Sequence, residues 1–152
     1  MTGSTAQTAG YLDGTAHIYP VRVFYEDTDA GGLVYHANYL KFAERGRTEM
    51  LRLLGVNHSE MATRYGMGFA VRSCQVEFRR AARLDDLLEV RTRLVELHGA
   101  SIAIEQAVMR GAELIAELVL RIVCLRAQAR PARIPDSVRD ILQPYVPMRE
   151  QD

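Results

Sequence analysis

Two aspartates, Asp27 and Asp29, stand one residue apart, followed by Gly31-Gly32 and then by Tyr35-His36. A carboxylate can act as a general base or as a nucleophile. Attack on an activated carbonyl also requires donors for the oxyanion that develops. The first turn of a helix supplies them, because its N–H groups lack intrahelical acceptors and sit at the positive end of the helix dipole. Gly31 and Gly32 let the backbone turn sharply between acid and helix without a Cβ clash. Residues 25–39 are the one stretch where acid, imidazole, phenol and flexible backbone converge, so chemistry is expected there. Turn-forming acids are the plainer reading of the same aspartates, since Asp is common in turns. A calcium loop is a third reading: Asp27, Asp29 and Gly32 suit its first, third and sixth positions. Gly31 and Asn38 fail at the fifth and twelfth, which need oxygen ligands including a Glu, so no metal site is expected.

The elements around this stretch follow from hydrophobic period. Residues 21–25 alternate and predict a strand, with a turn from Asp27 to Gly32. Asn38 is placed to cap a helix running to about Leu54, in which Tyr39, Phe42, Ala43, Gly46, Met50, Leu53 and Leu54 share a face. Gly46 weakens a helix interior by roughly 1 kcal/mol relative to Ala, so a close approach of a sheet is expected there. Gly55 marks the helix end, and a short helix follows over 57–65, with Asn57 or Ser59 near its start. The period then switches to two, predicting strands over 71–79, 87–97, 101–109 and 112–125. Residues 112–125 also contain good helix formers; the preceding hairpin partner favours a strand. One long helix followed by an antiparallel meander is an α+β arrangement, with the sheet curled round the helix.

A length of 152 residues suits one domain with its own core. Residues 1–17 are small and polar and are expected to form a disordered tail; 18–128 form the domain, and 129–152 an Arg- and Pro-containing C-terminal arm with a turn or two of helix near 136–142. The 19 basic and 19 acidic residues balance, which gives no case for nucleic acid or a membrane surface as partner. The N-terminal residues have neither a basic start nor an apolar core, so no export signal and a cytoplasmic location are expected. Cys74 and Cys124 lie in apolar, alternating runs and are expected to be buried free thiols.

Residues 25–39, the continuation Phe42-Ala43-Glu44-Arg45-Gly46-Arg47-Thr48-Glu49-Met50-Leu51 and the later run Ala82-Arg83-Leu84-Asp85-Asp86-Leu87-Leu88-Glu89-Val90 carry a resemblance. Together they resemble hotdog-fold acyl-CoA thioesterases of the 4-hydroxybenzoyl-CoA thioesterase type, and in particular the bacterial Tol–Pal-associated acyl-CoA thioesterases. The resemblance implies a five-stranded antiparallel sheet wrapped around one long central helix. It implies a homo-oligomer, either an edge-to-edge dimer or a dimer of dimers (a homotetramer), with active sites at the dimer interface. It implies hydrolysis of acyl-CoA to free acid and CoA, without a cofactor. An acyl carrier protein is a further possible partner.

On this resemblance Asp29 aligns with the catalytic carboxylate, either activating water or attacking the carbonyl itself. Asp27 is then expected to hold the loop. Backbone N–H groups of Tyr35, His36 and Ala37 face the thioester oxygen. The His36 ring either polarises the carbonyl or water, or makes a structural hydrogen bond; both remain open. Tyr25, Tyr35 and Tyr39 are candidates for the acyl pocket, with core packing the alternative for at least one. Ser101 falls where the family often places a small hydroxyl near the thioester. Arg72, Arg79, Arg80, Arg83 and Arg126 are candidates for the CoA phosphates, with a solvated charged face as the alternative for each. Two other functions share the pocket: a non-catalytic acyl-CoA or acyl-carrier-protein binding module, and a hotdog hydratase or dehydratase.

Overall fold

The structure is a computed structural model that describes residues 9–148. Its elements are β1 (Tyr11–Asp13), β2 (Ala16–Arg22), α1 (His36–Leu53), α2 (His58–Tyr65), β3 (Gly68–Phe78), β4 (Leu87–Leu97), β5 (Ser101–Arg110), β6 (Glu113–Arg126), β7 (Arg130–Pro131) and α3 (Asp136–Leu142). The strands form one antiparallel sheet in the order β1-β2-β4-β5-β6-β3, with β7 paired to β6. Seven strands are present where five were expected. The five long ones, β2 to β6, carry the sheet, and the two extra are only three and two residues long. The long helix α1 packs against this sheet, the α+β arrangement that the period switch implied and that the resemblance identified as a hotdog fold.

Alternation along β4, β5 and β6 places the core between sheet and helix. Leu88, Val90, Thr92 and Leu94 of β4 are buried, as are Ile102, Ile104, Gln106 and Val108 of β5. β6 buries Ala116, Leu118, Leu120, Ile122 and Cys124. Leu114 was expected on the same face but is only half-buried, and Ile115 is buried instead. The β5–β6 register shifts between Val108 and Met109, and such a bulge moves one residue across the sheet. The buried amide of β5, Gln106, is satisfied: its Nε2 donates to the Ala43 carbonyl at 2.8 Å and to Thr92 Oγ1 at 2.9 Å, and its Oε1 accepts from Arg47 at 3.0 Å. A buried amide with both ends bonded costs little, and one left open costs about 1–3 kcal/mol.

α1 lays Tyr39, Phe42, Ala43, Gly46, Met50 and Leu51 on the sheet. Leu53 falls off the expected face and is exposed. A Cβ at Gly46 would lie 2.7 Å from Val90 Cγ1, so the close approach comes from a β4 side chain. Asn38 does not cap the helix. Tyr35 is the N-cap residue, and Asn38 sits in the first turn with its amide turned to the preceding loop. Asn57 does cap α2, its Oδ1 accepting the Glu60 N–H at 2.7 Å.

Three further expectations need correction. Residues 9–17 are ordered, unlike the tail expected over 1–17; the part of that reading on residues 1–8 lies outside the described residues. They form β1 and the start of β2, because His17 and Ile18 are buried and anchor the hairpin. The segment from 129 onward does not stand apart as an arm, since Ile134, Val138 and Leu142 join the main core. Cys74 is exposed rather than buried, because it lies on edge strand β3; Cys124, in central β6, is buried, and both thiols are free.

The His17 ring has no exposed surface, and its Nε2–H donates to the Ala9 carbonyl at 2.6 Å. Nδ1 has no partner among the described residues. Burial pushes the imidazole below its ordinary value of 6.5, outweighing the Ala9 carbonyl and the more distant Glu49, which both favour the cation. The unfolded chain therefore binds the proton more readily. The stabilisation from neutral His17 is complete above about pH 6.5 and is lost as the pH falls below it. Thermal unfolding of the wild type is expected to lose midpoint temperature between pH 7 and pH 5 more steeply than that of His17→Gln. Parallel slopes for the two proteins would contradict this.

Candidate active site

The loop between β2 and α1 is a tight double turn. A single 3-10 turn spans Tyr25–Asp27, and Asp27 Oδ2 accepts the Phe24 N–H at 2.8 Å. The chain then folds back as a miniature hairpin: Thr28 bridges Val34, and the Asp29 N–H donates to the Leu33 carbonyl at 2.8 Å. At its tip, Gly32 takes φ +78°, the left-handed region that glycine enters without strain, and donates its N–H to the Asp29 carbonyl at 3.1 Å. Asp29 Oδ1 accepts the N–H groups of Gly31 at 2.9 Å and Leu33 at 3.2 Å. Its second oxygen has no donor among the described residues, and the residue is exposed. One carboxylate oxygen thus fixes the side chain while the other is available for chemistry.

The helix start is locked to the same loop. The Asp27 carbonyl accepts both the Tyr35 N–H at 3.0 Å and Asn38 Nδ2 at 2.8 Å. This removes Tyr35 from the expected set of free donors. The Asn38 N–H is taken by the Tyr35 carbonyl at 2.8 Å. The N–H groups of His36 and Ala37 have no acceptor among the described residues, and they stand at the head of an 18-residue helix. Unpaired N–H groups at a helix head favour an anion.

The remaining residues singled out from the sequence divide into three groups. Tyr25 is 82% exposed, and Tyr35 lies half open with its ring 4.4 Å from that of His36. Both border the loop. The His36 ring is exposed and has no hydrogen bond among the described residues; it meets Phe78 edge-on at 6.2 Å. Tyr39 is buried in the core. Its Oη accepts the Ala82 N–H at 3.1 Å, and burial raises its phenol above the ordinary value despite that bond. It is part of the scaffold.

Arg83 is exposed beside the site, because its backbone bridges Leu33. Among the other arginines, Arg79 pairs with Glu117 and Arg80 with Glu113, both on the exposed sheet surface. Ser101 does not come near Asp29 within one chain. It opens β5, whose other end, Arg110, lies beside the 79–86 connection that contacts the loop. Nine steps of strand at ~3.3 Å each separate those ends, about 30 Å. Ser101 is buried and accepts from Arg121 Nη1 at 3.3 Å.

Phe78 also lies at the site, without a sequence motif to mark it. It closes β3, is 51% exposed, and forms an aromatic wall with His36 and Tyr39 beside the free helix N–H groups. Its sequence signal was weak, an aromatic at the end of an alternating strand. Only the fold brings the end of β3 to the start of α1.

A model of the thioesterase-like superfamily matches residues 23–142. The acyl-CoA thioesterase YbgC of Haemophilus influenzae is 41% identical over 122 residues, covering 80% of this chain and 90% of the relative. The acyl-CoA thioester hydrolase YbgC of Escherichia coli O6:H1 is 41% identical over 130 residues, covering 84% and 96%. A probable thioesterase from Bartonella henselae superposes with a TM-score of 0.75 at 37% identity, covering 79% of this chain and 99% of that one. A 4-hydroxybenzoyl-CoA thioesterase at 18% identity shares the fold with a TM-score of 0.78, over 84% of this chain and 99% of that one. With the matched span taking in the Asp29 loop, the central helix and the whole meander, the chain belongs to the thioesterase-like superfamily.

Proposed function

We propose that this chain is an acyl-CoA thioesterase, with Asp29 as its reactive carboxylate and the N–H groups of His36 and Ala37 as its oxyanion donors. The single observation that carries this is the junction of loop and helix. A carboxylate with one oxygen tied and one free stands in the same hairpin that delivers two unpaired N–H groups at a helix head. Relatives at 41% identity are named as acyl-CoA thioesterases, which supports the substrate class.

In the proposed reaction the thioester carbonyl oxygen accepts the helix N–H groups. Asp29 then either takes a proton from water as that water attacks, or attacks the carbonyl carbon itself. The second course gives a mixed anhydride that water opens. In both, the C–S bond breaks, CoA leaves as thiolate and is protonated, and the acyl group becomes a free acid. The electrostatic field of the helix end and the oriented N–H groups lower the barrier to the oxyanion.

Gly31 and Gly32 hold the turn, Tyr25, Tyr35 and Phe78 border the acyl group, and Arg83 is placed for a CoA phosphate. The site is incomplete in one chain. Among the described residues β3 is paired on one side only, and its exposed Val71 and Phe78 suit a second copy pairing along that edge. The reading takes a dimer or dimer of dimers as the assembly, in which Ser101 reaches a site only through the partner. No helix among the described residues is long and apolar enough to cross a membrane, and a cytoplasmic location fits the reading.

The test is CoA release from a panel of straight-chain and aromatic acyl-CoAs, with light scattering to confirm that the protein is dimeric or larger. Asp29→Asn is expected to lower kcat by about 10²–10⁴-fold without changing the assembly. A still-oligomeric Asp29→Asn protein with wild-type turnover would sink the assignment. Acyl-CoA binding without CoA release by the wild type would favour a binding module, and conversion of a hydroxyacyl to an enoyl thioester a hydratase. Asn38→Ala removes one of the two donors on the Asp27 carbonyl. It should reduce stability by about 1–2 kcal/mol and lower kcat more than it raises KM. An unchanged kcat would show that the Asp27 clamp does not govern the reactive geometry.

A further inference from the structure

The connection that seats the Asp29 hairpin is itself held by a guanidinium outside the site. Arg110 closes β5, near the middle of the sheet. Its Nη1 donates to Asp86 Oδ2 at 2.7 Å and to the Ala81 carbonyl at 3.2 Å, while Nη2 donates to Glu113 Oε2 at 3.3 Å. Ala81 and Asp86 are the two ends of the turn that leads into β4, so one guanidinium ties both. Within that turn the Arg83 N–H donates to the same Asp86 Oδ2 at 2.9 Å. Asp85 takes φ +72°, a left-handed conformation that costs energy for a residue with a side chain. The turn therefore needs an external hold.

From this turn hydrogen bonds run directly to the reactive loop. The Val34 N–H donates to the Ala82 carbonyl at 2.9 Å, the Leu84 N–H to the Gly32 carbonyl at 3.4 Å, and Leu33 bridges Arg83. The Leu33 N–H in turn donates to Asp29 Oδ1. A continuous path thus links Arg110, Asp86, Arg83, Leu33 and the Asp29 carboxylate. We propose that Arg110, acting through Asp86, is a positioning residue for Asp29: it fixes the turn at residues 81–86 on which the catalytic hairpin rests.

Partial burial acts to raise the Asp86 carboxyl, but the Arg83 N–H and the Arg110 guanidinium outweigh it and hold the group below the usual carboxylate value. The pair is ionised at neutral pH. About a quarter of each side chain is exposed, 29% for Arg110 and 24% for Asp86, and pairs with this much solvent access contribute little to global stability. The main effect of losing it is therefore local. A lysine keeps the charge but lacks the rigid guanidinium plane, in which Nη2 bonds Glu113 while Nη1 holds both Asp86 and Ala81.

This rests on the reading of Asp29 as the reactive group, so the experiment has two independent arms. The first measures kcat and KM for the best acyl-CoA of the panel. The second measures amide hydrogen exchange at Gly31 and Leu33, whose N–H groups bind Asp29, with Ile104 and Leu120 in the sheet centre as controls. In Arg110→Met, kcat should fall about 10–100-fold with KM within about threefold, as for a displaced reacting group. Exchange at Gly31 and Leu33 should quicken about tenfold while Ile104 and Leu120 keep their protection. Arg110→Lys should recover only part of both, and Asp86→Asn should resemble Arg110→Met. Unchanged kcat, or unchanged exchange at Gly31 and Leu33, overturns the proposal. If Arg110→Met also loses protection in the sheet centre, Arg110→Lys decides by the same two readouts. If the wild type releases no CoA, the reading of Asp29 fails, and exchange at Gly31 and Leu33 alone upholds or refutes the hold by Arg110.

Discussion

Two donors converge on the carbonyl oxygen of Asp27, the Tyr35 N–H and the Asn38 side-chain amide. Through that oxygen the loop carrying the acids and the head of α1 become one rigid piece. Without it, the first turn of the helix and the hairpin of Asp29 would be joined by the chain through Val34 and by the hydrogen bonds of Val34 and Tyr39 to Ala82. With it, Tyr35 is consumed as a donor while His36 and Ala37 remain open. The division of labour between the two aspartates follows. Asp27 is turned inward on Phe24, Tyr35 and Asn38, and Asp29 keeps one oxygen free.

The sheet matters to this arrangement mainly through what it holds still. The second support of the hairpin comes from residues 81–86, anchored by Tyr39 Oη on Ala82 and by Arg110 on Ala81 and Asp86. Helix and sheet therefore both grip the loop. The helix could not come close enough to the sheet with a larger residue than Gly46, since a Cβ there would meet Val90. A helix glycine that looks costly on propensity alone is thus a packing requirement of the site's frame.

Much of this is legible in the sequence alone. β4 appears over the residues that its alternation marked, and Asn57 caps α2, because those signals are local. The acid–glycine–helix order also marked the loop correctly as a turn between strand and helix. Asn38 was legible as a helix-start residue but not as a clamp, because its partner is a carbonyl eleven residues earlier in the chain. The ordered segment at 9–17 was missed because its composition is small and polar; His17 is buried only because β2 and the residues around Ala9 close over it. The bulge that exchanges Leu114 for Ile115 leaves the alternation of β6 intact on either side and gives no signal of its own. Ser101 and Phe78 show the same limit from opposite directions. Strand polarity carries Ser101 to the far end of β5 and brings Phe78 to the helix start, and neither outcome can be read from spacing along the chain.

The account rests on one geometric claim, that an acyl thioester lies with its carbonyl oxygen on the head of α1 and its carbonyl carbon facing Asp29. A crystal structure of the Asp29→Asn protein with a non-hydrolysable acyl-CoA thioether ketone tests this most directly. The expected result is a carbonyl oxygen about 3 Å from the N–H nitrogens of His36 or Ala37, with the residue 29 side chain on the opposite face of that carbonyl group. An acyl group seated elsewhere, such as the apolar groove between Leu53 and Tyr145, with the head of α1 empty, would contradict the account.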